Sequence, residues 1–224
     1  MTADESYPSI TEMDGYAKAR EDVAYFMRRL YRQGLTTTSG GNISCRLSGD
    51  LMAITASKCD KGEQRPSEVG VVSLVDGHQL TEGLTLSIET HLHAAIYCAR
   101  PDVHAIVHAH PVTATAFCTL PQDINTHLTA EAYTLIGDPV RIPYALMGTP
   151  ELAQRVAECL RPPAVCGLME NHGVIAVGPT LLAAFDRLEL LEVAARQTAL
   201  VTLLGHHHDL SSEWLPPLDR FGGR

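Results

Sequence analysis

Positive charge is scarce in this sequence: 17 Lys and Arg stand against 26 Asp and Glu, a formal net charge of -9. Nucleic acid as the main partner would require a basic face for phosphate, and an anionic membrane surface asks the same, so both are disfavoured. Long apolar runs are missing too. No stretch approaches the roughly 18 apolar residues of a membrane helix. Met1 to Glu12 is polar and acidic, with no basic segment leading into an apolar one, so the reading is of no secretory signal and a cytoplasmic location. The six cysteines (Cys45, Cys59, Cys98, Cys118, Cys159 and Cys166) include no C-x-x-C pair. Their scatter argues against a disulfide framework or a closely spaced structural zinc site, and they read as reduced core or surface thiols. Neither G-x-x-x-x-G-K-[ST] nor G-x-G-x-x-G occurs, so nucleotide cradles are unsupported.

What is present is a chain of 224 residues, 45% hydrophobic, enough for one domain with a full core. Apolar spacing predicts a helix over 14–34, stopping at Gly34, then a glycine turn at Ser39-Gly40-Gly41-Asn42 leading into a strand. Further strands are expected at 51–55 and 69–75, with a turn at Asp76-Gly77. A helix over 87–100, capped by Ser87 with Glu89 in its first turn, precedes a strand over 103–110. In that strand Val103, Ala105, Val107 and Ala109 point one way and His104, Ile106, His108 and His110 the other. A helix from Pro150 to Leu160, strands at 165–169 and 174–177, and a long helix from Pro179 to Leu204 complete the pattern. Residues 206–224 read as a loose tail. Interspersed helices and hairpins imply an α/β protein whose sheet is not purely parallel.

Eleven histidines are the unusual count. His108 and His110, two apart on a strand, leave the same face with Cα atoms roughly 6.5 to 7 Å apart, close enough to share a metal ion. His172, in Asn171-His172-Gly173 at the end of an apolar strand, is a third candidate, the glycine letting the backbone turn. Glu89 lies at the start of the helix before the His108 strand; a carboxylate there can ligate a metal or act as a base. Gly41, Asn42, Ser57, Lys58 and Ser87 gather backbone N–H groups, hydroxyls and one cation suited to an anion. His93, at i+4 from Glu89, is within reach to hydrogen-bond and orient it, but polar packing is the favoured reading for it and for His91. His104 reads as too distant to ligate, and His206 to His208 as a tract that scavenges metal.

Gly41-Asn42-Ile43-Ser44, Ile54-Thr55-Ala56-Ser57, Ser87-Ile88-Glu89, His108-Ala109-His110 and Asn171-His172-Gly173 follow one another in an order and spacing that resembles the class II aldolase/adducin family. The resemblance covers residues 14–204. It implies a three-layer α/β sandwich with a mainly antiparallel central sheet flanked by helices, spanning 14–205 between an extension at 1–13 and the tail. It implies one divalent ion per subunit, Zn2+ or else Mn2+ or Co2+, held by His108, His110, His172 and Glu89. Glu89 would also shuttle the proton, and Gly41, Asn42, Ser57 and Ser87 would bind the phosphate of a sugar. The implied reaction is reversible cleavage of a ketose 1-phosphate to dihydroxyacetone phosphate and an aldehyde, in a homotetramer with active sites between subunits.

The physics of carbon–carbon cleavage beside a carbonyl agrees, because the enediolate needs an electrophile. A Schiff-base lysine is the alternative, yet neither Lys18 nor Lys61 lies in an apolar run that would lower its pKa. The chain departs from the family pattern at Ile88, where close relatives carry a second serine, at Lys58, where they carry glycine, and near Thr129, where they carry the aldehyde-side tyrosine. Tyr133 is the expected substitute donor. Three other readings share the pattern: a sugar-phosphate 4-epimerase, which has Asp where Glu89 stands, an oxo-tetronate-phosphate decarboxylase, and a non-catalytic adducin-like scaffold.

Overall fold

Val23, Met27 and Leu30 form one apolar stripe on the first helix, α1 (Ala17–Arg32), and all three are buried. Just past its end Gly34 takes the left-handed conformation of a helix stop, with φ +69°. The computed structural model describes residues 16–48 and 50–222. Seven strands follow one another as β1 (Asn42–Leu47), β2 (Leu51–Thr55), β3 (Val69–Ser73), β4 (Ala105–Ala109), β5 (Val140–Ile142), β6 (Cys166–Met169) and β7 (Gly173–Gly178). They form one sheet in the order β3-β2-β1-β4-β7-β6-β5. Every neighbouring pair is antiparallel except β5 with β6.

Alternation along the central strands divides the core in two. Ala105, Val107 and Ala109 of β4 join Val174 and Ala176 of β7 beneath α1 and three more helices, α3 (Val112–Phe117), α4 (Ala130–Ile136) and α6 (Leu181–Leu204). Ile106, Ile175 and Val177 pack on the opposite face against α2 (Thr90–Ala99) and α5 (Pro150–Cys159). The mainly antiparallel sheet flanked by helices is therefore the observed architecture. Among the described residues no helix is long and apolar enough to cross a membrane.

Several expectations shift. Val103 packs with Ile106 on the α2 and α5 face, because β4 begins only at Ala105 and the alternation does not extend back to it. The helix expected from Ser87 starts at Thr90, which makes Glu89 its N-cap residue, without a side-chain capping bond. Glu89 is drawn away from that role by partners across the sheet. The segments α3, α4 and β5 are short and lack a clear period, and pairing and burial define them instead.

Within the tail expected to be loose, one segment is ordered as a helix. Residues Leu215–Gly222 form a helix, α7, with Pro216 and Pro217 in the first turn, where backbone donors are not needed. It sits tightly on α4: a Cβ at Gly222 would come within 2.4 Å of the Thr134 carbonyl oxygen.

All six cysteines are free thiols, and the three buried ones, Cys45, Cys118 and Cys166, are pushed up to about 12 by burial. At pH 8 a thiol of that kind is roughly 0.01% thiolate. Alkylation of the native protein followed by mass spectrometry is expected to label exposed Cys98 rapidly and to leave these three unmodified until the chain is unfolded.

Candidate active site

The register of the central strands assembles the site. Asn42 on β1 pairs with His108 on β4, and His108 pairs in turn with Ile175 on β7. His110 follows β4 directly, and His172 lies in the turn between β6 and β7. That turn needs a left-handed residue, and Asn171 supplies it with φ +52°. Gly173, expected to provide the turn, serves another purpose. A Cβ there would lie 2.3 Å from His110 Cδ2 and 2.7 Å from the Ala109 carbonyl oxygen, so the glycine leaves room for the imidazole.

The three imidazoles meet, with ring centroids 4.9 Å apart for His108–His110 and His108–His172 and 5.7 Å for His110–His172. One nitrogen from each lies within 4.8 Å of the others, a set able to hold a metal ion. Glu89 closes the group: its Oε2 is 3.3 Å from His108 Nε2 and its Oε1 is 3.1 Å from His172 Nε2.

The hydrogen positions explain what this set lacks. A carbonyl can only accept, so His108 Nδ1 donates to the Val174 oxygen at 2.9 Å. In the neutral ring Nε2 is then an acceptor, and it faces a carboxylate oxygen. Burial lowers the His108 pKa, and burial with the neighbouring imidazoles lowers that of His110 to about 4. For Glu89 burial alone would raise the pKa, but His108, His172 and Asn42 outweigh it and hold the carboxyl well below the usual range. His108 Nε2 and Glu89 Oε1 are buried without hydrogen bonds. Lone pairs converging on a buried point call for a cation between them, so the residues present fit a divalent metal.

Behind the carboxylate runs a buried polar chain. Asn42 Nδ2 donates to Glu89 Oε2 at 2.7 Å and to Ser87 Oγ at 3.0 Å. Its Oδ1 accepts from His93 Nε2 at 2.5 Å. That leaves His93 Nδ1 to accept from Ser44 Oγ at 2.6 Å, and Ser44 to accept from the Tyr97 hydroxyl at 2.8 Å. Burial holds the His93 pKa down to about 3, so the ring is neutral and both nitrogens are used. The sequence reading of His93 as polar packing understates it: every donor in this chain points toward Glu89.

A cavity of about 410 Å³ opens over the cluster, lined by Gly41, Asn42, Ser57, Ser87, Glu89, His110 and His172, with Ser39, Gly40, Ile88 and Met147 among the rest. Ser87, besides accepting from Asn42, accepts from the Glu89 backbone N–H at 3.2 Å.

Two expected residues lie elsewhere. Lys58 is exposed, takes a left-handed φ of +59° and does not line the cavity; Lys61 does. The expectation that Lys61 keeps an ordinary pKa fails as well, since burial lowers it. Its neighbours in sequence are polar, and the burial comes from the fold around it. Tyr133 lies in a different cavity, its ring 4.8 Å from that of His127 and its hydroxyl donating to Asp219 at 3.0 Å.

Residues 21–199 match the family model of the class II aldolase and adducin N-terminal domain. An L-fuculose phosphate aldolase of Methanococcus maripaludis is 29% identical over 75% of this chain and 89% of its own. A methylthioribulose-1-phosphate dehydratase of Acidiphilium cryptum is 32% identical over 79% of this chain and 87% of its own. Among solved structures, an L-fuculose 1-phosphate aldolase superposes with a TM-score of 0.82 at 28% identity, covering 91% of this chain and 95% of that one.

Replacing His108 or His172 by alanine is expected to abolish stoichiometric zinc binding, read by elemental analysis against a competing chelator that strips the exposed His206–His208 tract. Retention of one tightly held ion in either variant would dismantle the cluster assignment. Gly173→Ala, which displaces His110 without removing a donor, is expected to weaken zinc affinity by about 10- to 100-fold, as does loss of the partners that orient a ligand.

Proposed function

The chain belongs to the class II aldolase and adducin family, and from that premise we propose that it is a metal-dependent aldolase that reversibly cleaves a ketose 1-phosphate to dihydroxyacetone phosphate and an aldehyde. One observation carries this reading. Two buried acceptors, Glu89 Oε1 and His108 Nε2, are left without hydrogen bonds beside a cavity whose lining includes glycine backbone and hydroxyl groups. A divalent ion held by His108, His110 and His172, with Glu89 beside it at rest, supplies a Lewis acid for the ketose carbonyl and its neighbouring hydroxyl. Zn2+ suits these donors, and Mn2+ or Co2+ accept them too.

The chain's own residues bind the substrate and move its protons. Gly41, Ser57 and Ser87 receive the phosphate with hydroxyls and a glycine backbone that lets an anion approach closely, and Asn42 lines the same cradle while holding Ser87. Cleavage breaks the bond between the third and fourth carbons. The hydroxyl on the fourth carbon loses its proton and becomes the aldehyde carbonyl, while the electron pair stays with the ketose fragment as an enediolate. That proton passes by way of solvent to the Glu89 carboxylate, which delivers it to the third carbon and completes dihydroxyacetone phosphate; in the synthetic direction the carboxylate removes it. The Asn42 amide fixes the carboxylate for both tasks. Within one chain Tyr133 is held by Asp219 away from the cavity, so its part as aldehyde-side donor requires a neighbouring subunit of the proposed homotetramer.

A second reading is favoured by the similarity to the Acidiphilium enzyme, which by its name removes water from a ketose 1-phosphate. Dehydration passes instead through an enediolate of the intact ketose, formed by removing the proton on the third carbon, which expels the hydroxyl on the fourth carbon as water and keeps every carbon.

A panel of ketose 1-phosphates, with zinc supplied, is expected to yield dihydroxyacetone phosphate that a chelator abolishes. Substrate consumed without that product would transfer the assignment to dehydration. Glu89→Gln is expected to keep its metal while turnover falls by about 10² or more; a near wild-type rate would remove Glu89 from proton transfer. Ser87→Ala should raise KM for the phosphorylated substrate and leave that for a dephospho analogue unchanged.

A further inference from the structure

Lys61 sits in a short 3-10 turn, Lys61–Glu63, and is 2% exposed. Its backbone N–H donates to the Thr38 carbonyl at 2.9 Å, tying it to the loop that carries Ser39, Gly40 and Gly41. Its ammonium donates to the Ala56 carbonyl at 2.7 Å, next to Ser57. Both ends of the residue are thus anchored to the two loops that form the anion cradle, and the residue lines the cavity between them.

The charge balance at Lys61 is incomplete. Among the described residues no carboxylate lies within ion-pair distance of its ammonium, and Ala56 is its one side-chain hydrogen-bond partner. Cys59 and Glu68 are the titratable groups near enough to act on it, and Glu68 Oε2 is already held by the Arg65 backbone N–H at 2.8 Å. A buried ammonium costs stability unless a counter-charge and acceptors complete it. No Arg and no other Lys lines this cavity, on a chain of net charge -9.

We propose that Lys61 is the counter-charge for the substrate's phosphate, and that it selects phosphorylated over neutral ketoses by leaving a buried cation incomplete until a phosphate arrives. This deepens the aldolase reading and rests on it. The hydroxyls and backbone amides give the phosphate its place, and Lys61 gives the cradle its sign. The role expected of Lys58 falls to a residue three positions on, held by the fold rather than exposed. A nucleophilic role fits poorly, because a carbon-attacking amine needs a free lone pair, whereas this nitrogen is held as a donor to a carbonyl.

The test uses the full-length, zinc-loaded protein and inorganic phosphate as the probe, by calorimetric titration and thermal unfolding. Lys61→Met is expected to weaken phosphate binding roughly 10- to 100-fold, as for loss of a charge-assisted hydrogen bond. Without phosphate its Tm should equal or exceed that of the wild type, since an unpaired buried charge has gone, and its Tm gain from phosphate should shrink. With substrate, KM should rise while kcat stays within a few-fold. Lys61→Gln keeps a donor for Ala56 and should lose phosphate affinity to the same extent, which covers a Met variant that folds poorly. Unchanged phosphate affinity with a lowered Tm would make Lys61 a structural lysine and overturn the inference, leaving the aldolase reading intact. Trapping of substrate on Lys61 by borohydride would overturn it in favour of Schiff-base chemistry. If the wild type binds no phosphate and Ser87→Ala changes nothing, the cradle itself fails, and the phosphorylated-substrate reading with it.

Discussion

The hydrogen bond from Asn42 to Glu89, 2.7 Å long, is the interaction on which the site turns. An amide can present either its oxygen or its nitrogen to a carboxylate, and only the nitrogen is attractive. The choice is made behind it: Tyr97 donates to Ser44, Ser44 to His93, and His93 to the Asn42 oxygen. With that oxygen occupied, the amide can only donate forward. Hydrogen bonds aligned this way polarise one another in a dry interior, so the chain steadies the carboxylate beside the two imidazoles.

Strand register underlies this arrangement. Asn42 opposite His108, and His108 opposite Ile175, bring three strands into line on one face of the sheet. A slip of one residue would send Asn42 and His108 to the α1 side among Val23 and Leu30, and the site would vanish while the hydrophobic core stayed plausible to the eye. The apolar residues that alternate with the polar ones, Val107 against Ile43 and Ala109 against Val174, therefore hold the chemistry in place as well as the core.

Much of this was legible in the sequence. The period of two over residues 103–110 placed His108 and His110 on one face, and the Asn171-His172-Gly173 turn and Glu89 completed the cluster that the fold brings together. What escaped was what depends on surroundings rather than on local pattern. Lys61 sits among polar neighbours in sequence and yet is buried, because the loop at Thr38 and the strand end at Ala56 close over it. His93 looked like packing because its partners, Ser44 and Asn42, are about fifty positions away. The short segments β5, α3 and α4 carry too few residues for a period, and α7 is stabilised by its contact with α4 rather than by its own propensity. The role of Gly173 was visible as a glycine, but its reason, the ring of His110, was not.

The site draws on residues from Gly41 to His172, supplied by a loop, a helix start, a strand end and a hairpin turn that lie far apart along the chain. No local segment contains even two of these four parts, and β1 meets β4 only after a loop of nearly sixty residues has closed. The order of events during folding follows: hairpins such as β1–β2 can form early, whereas the corner that joins His108, His110 and His172 exists only once β7 has docked against β4. A chain still emerging from the ribosome therefore carries these imidazoles apart, and the complete cluster exists only in the docked sheet.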